Sequence, residues 1–150
     1  MQRFFFSMSG RLSGLFLTTL LLLLFKFSCG PVLAGEGVPS SVLTSFESFS
    51  TGWMSRLEQV SQQNSRSLKP ESSANGRVVG RYVHYGPDCV REVRGTGSKA
   101  TPYVGILRYA QKVVEKEGET LQKMKEHPGV PTSEIQVMEI FRYTGGRWVY

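Results

Sequence analysis

The chain has 150 residues, 40% of them hydrophobic and 20% charged, with a formal net charge of +6. Setting aside the first 34 residues, with Arg3, Arg11 and Lys26, leaves 116 residues carrying 15 Lys or Arg against 12 Asp or Glu, a net +3. That length excludes a second domain of ordinary size, and that charge excludes the electrostatic footprint of a nucleic-acid binder.

Arg3 and Arg11, with no acidic residue, open the chain, and Leu12 to Phe25 follows as an uncharged, mostly apolar run of 14 residues closed by Lys26. A bilayer-spanning helix needs about 20 such residues. A basic start, a short apolar middle and the small-residue exit Val32-Leu33-Ala34 predict a cleavable secretory signal over 1–34, cut after Ala34. The expected product is a single periplasmic or secreted domain over 35–150, with no membrane span after cleavage. An uncleaved anchor and lipidation at Cys29 are the two alternatives. The second is disfavoured because Lys26, where lipidation signals usually carry Leu, stands three residues before Cys29. With Cys29 removed, Cys89 is the one cysteine left, and no internal disulfide is expected. A lone exported thiol is buried, reactive or bridged to another molecule, here a Cys89-linked homodimer.

After a short lead, Val42, Phe46, Phe49, Trp53, Leu57 and Val60 recur at spacings of three and four, one face of an α-helix. Thr44-x-x-Glu47 and Ser55-x-x-Glu58 read as capping boxes. Ser48, Ser50, Thr51 and Gly52 are weak helix formers, so the segment is either one helix with a soft middle or a turn before a helix over Gly52–Asn64. Ser65 to Gly76 reads as a loop. Arg77 to Tyr85 is rich in β-branched and aromatic residues and predicts a strand. Gly86-Pro87-Asp88 predicts a turn, and Cys89 to Arg94 a second strand. Tyr103, Leu107, Tyr109 and Val113 share one parity in a third strand. Glu119 to Glu126 predicts a short helix stopped by His127-Pro-Gly129. Ile135, Val137, Phe141 and Tyr143 share a face of a further strand, which Thr144-Gly-Gly-Arg147 turns back into Trp148-Val-Tyr150. Trp148 and Tyr150 should then lie near Phe141 and Tyr143.

The fold class is α+β: an N-terminal helix packed on an antiparallel sheet of about five strands, ending in a C-terminal aromatic hairpin. From Val42 to Tyr150 this order of elements resembles cystatin-like and nuclear-transport-factor-like shapes. The close Phe141-Arg-Tyr-Thr-Gly-Gly-Arg-Trp-Val-Tyr150 is similar to that of small uncharacterised exported bacterial proteins. Such shapes host unrelated activities, so the resemblance implies a fold and no chemistry.

Candidate chemistry is sparse. Cys89 and His84 flank the predicted turn, and a thiolate beside an imidazole is a nucleophile–base pair, although no protease-like signature surrounds Cys89. His84, Asp88, Cys89 and His127 are the residues a metal would draw on. None has metal-ligand spacing, so no metal and no cofactor is expected. Gly95-Thr-Gly-Ser-Lys-Ala-Thr101 has one residue between its glycines and Ala after Lys99, and so fails the phosphate-loop pattern. Arg77, Arg81, Arg91, Arg94, Lys99, Arg108 and Lys112 make the strand region basic, which an outward sheet face explains without nucleic acid. Trp53, Tyr82, Tyr109 and Trp148 are the aromatic candidates for lining a ligand pocket between helix and sheet. The function expected is non-enzymatic binding of a protein or small ligand outside the cytoplasm. The alternative is a small enzyme or ligand-pocket protein using His84 and Cys89 or that cavity.

Overall fold

The computed structural model describes residues 29–150; the basic start and the apolar run lie outside the described residues. The elements are β1 (Cys29–Ala34), α1 (Ser40–Arg66), β2 (Glu71–Ser72), β3 (Val78–Gly95), β4 (Tyr103–Gly118), α2 (Leu121–Glu126), β5 (Val130–Thr144) and β6 (Arg147–Val149). They form one six-stranded sheet in the order β1-β3-β4-β5-β6, with β2 paired to β3 beside this path. Among the described residues no helix is long and apolar enough to cross a membrane.

Helix α1 runs unbroken through Ser48 to Gly52. The Ser50 hydroxyl donates to the Phe46 carbonyl at 2.7 Å, a local bond that buries the hydroxyl without interrupting the helix. The two sequence capping boxes lie inside the helix, and its N-cap is Pro39, with no side-chain cap. The apolar stripe holds as far as Leu57 and then drifts. Val60 is exposed, and Ser61 turns inward to accept from the Tyr85 N–H at 2.9 Å. Phe46 fills the centre, 4.7 Å from the Trp148 ring, and burying one such side chain contributes roughly 2–3 kcal/mol.

The sheet is mostly antiparallel, with one parallel pair. Strand β1 precedes α1 and runs parallel to β3, with Cys29 opposite Cys89 and Ala34 opposite Val93. A helix between two strands supplies the long return that parallel pairing needs. β1 occupies the last six residues of the segment expected to be removed as a leader. The expectation of an unpaired Cys89 is corrected: its sulfur is bonded to that of Cys29 within the chain.

A second correction concerns Gly86-Pro87-Asp88. The two predicted strands around it are one strand, β3, and the three residues bulge against Ala110: Tyr85 pairs with Gln111 and Cys89 with Tyr109. Pro87 has no N–H to give a ladder, and a bulge tolerates it as well as a turn does. The predicted loop before β3 contains the two-residue strand β2, and its Asn75-Gly76 turn places Gly76 at φ 78°. The C-terminal hairpin is as expected, with Gly145 and Gly146 both at positive φ and Tyr143 opposite Trp148.

The two faces of the sheet are treated differently. α1 covers the inner face, where Cys89, Val93, Leu107, Tyr109 and Phe141 meet Val42, Phe46 and Met54. On the outer face α2 covers one end only. Met124 there packs on Gly80, and the α2 backbone crosses so close to Gly118 that a Cβ would overlap it.

Candidate functional site

The structure separates His84 from a thiol role. With Cα atoms 4.5 Å apart, Cys29 and Cys89 share a disulfide, and no described cysteine is free. In this structure the Cys89 sulfur is engaged with Cys29, and neither sulfur is presented to His84, a second chain or a lipid. His84 lies on the same strand before the bulge, lining a hollow with Glu58, Ser61, Gln62 and Arg66. Among the described residues no group of three metal-ligating side chains converges. His127 accepts the Gly129 N–H on Nδ1 at 3.0 Å. Gly95 to Thr101 is a hairpin loop, closed by Thr96 N–H donating to the Pro102 carbonyl at 3.0 Å.

Of the four aromatic candidates, two are brought together. Trp148 is core, its indole N–H donating to Ser45 Oγ at 3.0 Å. Tyr82 lies beside the C-terminal end of α1, in a hollow with Asn64, Leu68 and Arg81. Trp53 and Tyr109 meet on the inner face, at the margin of the core. Trp53 stands edge-on to Phe141 at 5.0 Å and stacks on Tyr150 at 6.0 Å. The Tyr109 hydroxyl donates to Glu139 Oε1 at 2.9 Å. Burial pushes the Tyr109 phenol well above its ordinary range, and the neighbouring Glu139 carboxylate pushes it the same way. Trp53 Nε1 and Glu139 Oε2 are both buried without a hydrogen bond of ordinary geometry, the indole N–H lying toward the Tyr109 hydroxyl and lowering its pKa slightly against the larger upward pushes. Glu139 escaped the sequence reading, although the parity that put Val137 and Phe141 inside also puts residue 139 there.

Arg91 is a further departure. The sequence places it with the outward basic residues, whereas it alternates inward with Cys89 and Val93 and is 4% exposed. It donates to Thr51 Oγ1 at 2.8 Å and approaches Glu47 at 3.7 Å, while its Nε has no partner. Desolvation lowers its pKa, with Glu47 acting in the opposite direction.

The uncovered end of the outer face is apolar. Cross-strand register sets Val90, Arg108 and Met138 in one row and Leu33, Glu92, Ile106 and Ile140 in the next. Leu33, Met138 and Ile140 are each more than half exposed and Val90 nearly so, whereas Ile106 at their centre is 6% exposed. Glu92 is ion-paired to Arg94 and Arg108. Its carboxyl is held below the ordinary range by Arg94 first and Arg108 next, against a burial penalty. The patch is thus mixed: Arg108 stands between Val90 and Met138 and Glu92 between Leu33 and Ile106, while Arg94 and Arg142 flank the two rows and leave the surface net basic.

Comparison with known proteins finds no family model that matches the chain, and no curated protein or solved structure similar to it.

Proposed function

We propose that the chain is an exported, non-enzymatic binding domain that engages a protein partner through the open end of its outer sheet face. The observation that carries this is the exposure of Leu33, Val90, Met138 and Ile140 on two adjacent cross-strand rows, with Ile106 buried among them and the ion pair Glu92–Arg108 crossing between. Monomeric proteins seldom leave such rows uncovered unless something docks there. A complementary partner presents apolar side chains and a net acidic surface toward Arg94 and Arg142. Export is supported by the signal-like pattern at the N-terminus and by a disulfide, a bond that persists in oxidising compartments. The version of this reading that keeps the disulfide places leader removal before Cys29, since a cut after Ala34 would release β1. The likeness to cystatin-like and nuclear-transport-factor-like shapes stands as part of the proposal, supported by one helix ahead of long antiparallel strands; the parallel β1 departs from the sheet expected.

The test is site-specific photocrosslinking in the native compartment, with a benzophenone residue at Val90 or at the helix position Gln62. A discrete adduct from Val90, lost on Ile140→Asp and absent from Gln62, is expected. Equal labelling from both positions would remove the outer face as the docking surface.

A second reading rests on the unpaired Trp53 Nε1 and Glu139 Oε2. A small polar ligand offering an acceptor to the indole and a donor to the carboxylate is the occupant that these two atoms would take. Native mass spectrometry of the exported protein reads it as a retained mass, lost in both Trp53→Phe and Glu139→Gln. Identical spectra for the three proteins would end this reading.

A further inference from the structure

Strand β5 is an edge along most of its length. β6 pairs only with Arg142, Tyr143 and Thr144, so among the described residues Val130 to Phe141 have a neighbour on the β4 side alone. Val130, Ile135, Met138 and Ile140 on this stretch are each more than half exposed. Soluble proteins blunt such edges with lysine, inward-pointing charge or proline. This edge has no Lys or Arg, and Pro131 and the bulge at Thr132 interrupt only its first residues, leaving Ser133 to Phe141 regular. Its two carboxylates are already engaged within the protomer: Glu134 by Lys112 at 3.2 Å, Glu139 by the Tyr109 hydroxyl at 2.9 Å.

We infer that this edge pairs with the same edge of a second copy, antiparallel about a two-fold axis at Gln136, to make one continuous sheet. A two-fold that runs two antiparallel strands side by side keeps inner faces together, so residues directly opposite each other have the same parity. Glu134 and Glu139 have opposite parity, and no such register sets them against each other. Centring on Gln136 uses the regular free edge from Ser133 to Glu139, beyond the bulge at Thr132. It opposes Ile135 to Val137 twice, Glu134 to Met138 and Ser133 to Glu139. At the axis the Gln136 side chain meets its own copy, and a carboxamide both donates and accepts, so the two complement each other. An isologous contact of this kind closes at two chains.

The seven paired residues span about 24 Å. A strip of that length and about 10 Å deep covers roughly 240 Å² on each copy, well below a standard specific interface, so association is expected only toward about millimolar concentration. The inference is independent of the outer-face reading: a protein that stays monomeric yet gives the Val90 adduct would lose the dimer and keep the docking face.

Sedimentation of the exported, disulfide-closed protein at concentrations up to about millimolar tests association. Gln136→Lys, at an exposed position, opposes two like charges at the axis and should weaken the dimer roughly fivefold. Register is read separately by mild oxidation of Gln136→Cys and Thr132→Cys. Two residues 136 lie about 5 Å apart across the axis, within disulfide reach, whereas two residues 132 lie about 27 Å apart. Fast crosslinking of the first alone is expected. A monomer at the highest concentration, a dimer indifferent to Gln136→Lys, or equal crosslinking from both cysteines would each overturn the inference.

Discussion

Cys29 and Cys89 face each other across the parallel pair β1 and β3, sixty residues apart in sequence and joined through sulfur. Cys29 and Val32 pack against the buried cluster that includes Val42, Val93 and Leu107. The bond therefore fastens β1 to the same core that α1 covers.

Closing a loop of that length restricts the unfolded chain, a stabilisation of about 4 kcal/mol in the chain-entropy account. Cys29→Ser with Cys89→Ser, or reduction, should lower unfolding stability by roughly 2–4 kcal/mol in urea titrations. Intact mass should show the exported protein two hydrogens lighter than its reduced form. A titration midpoint unmoved by reductant would mean that the bond adds nothing to the fold.

Arg91 is buried with one hydrogen bond, a distant Glu47 and an unpartnered Nε. A buried guanidinium with incomplete pairing often stabilises no more than an apolar side chain of equal volume. Arg91→Met keeps the packing of the stem and should leave stability unchanged or raise it by about 1 kcal/mol. Arg91→Ala leaves a cavity and should lose about 2–4 kcal/mol. If the Met variant falls as far as the Ala variant, the charge itself is stabilising.

Tyr109 contributes to the alkaline limb of stability. Its folded pKa lies above the unfolded value near 10, raised first by burial and then by Glu139. The folded state thus keeps the phenolic proton longer than the unfolded chain does. This contribution is whole below about pH 10 and is lost as pH climbs from there toward the folded value. Tyr109→Phe should cost about 1–3 kcal/mol at neutral pH by leaving Glu139 without its donor. Above pH 10 its stability should fall less steeply than that of the unchanged protein. Parallel alkaline limbs for the two proteins would contradict the assignment.

Gly105 lies under the Phe46 ring, where an added Cβ would overlap the aromatic carbons. Because Phe46 is held between Phe141 and Trp148, it has little room to retreat. Gly105→Ala should therefore destabilise by about 1–3 kcal/mol, whereas Gly52→Ala, whose Cβ meets nothing, should stabilise the helix by about 0.5–1 kcal/mol. Thermal melts of the two variants moving in opposite directions are expected. A neutral Gly105→Ala would show that the ring moves freely.

Much of the fold was legible because its signals are local. The three-four spacing of Val42 to Leu57, the shared parity of Tyr103 to Val113 and Gly145-Gly146 between aromatic runs each describe one element by its own residues. Of the marginal aromatic cluster, Trp53 and Tyr109 were named from residue type alone. Glu139 was passed over because a carboxylate on a strand reads as solvated until a partner such as Tyr109 is seen beside it.

The amino-acid order determined by itself where the helices and most strands lie, since periodicity and turn chemistry act over a few residues. Only the tertiary structure decided which segments meet. Cys29 to Ala34 has the small residues of a leader exit, and it becomes a strand because β3 offers an edge to pair with and Cys89 a sulfur to bond. Gly86-Pro87-Asp88 has the composition of a turn, and it becomes a bulge because β4 runs unbroken past it and holds both halves of β3 in one ladder. Arg91 alternates inward with its neighbours because burying Cys89 and Val93 fixes the strand's parity, and a strand cannot turn one residue outward alone. Each of these choices depends on surface buried between residues far apart in the chain, to which no local pattern has access.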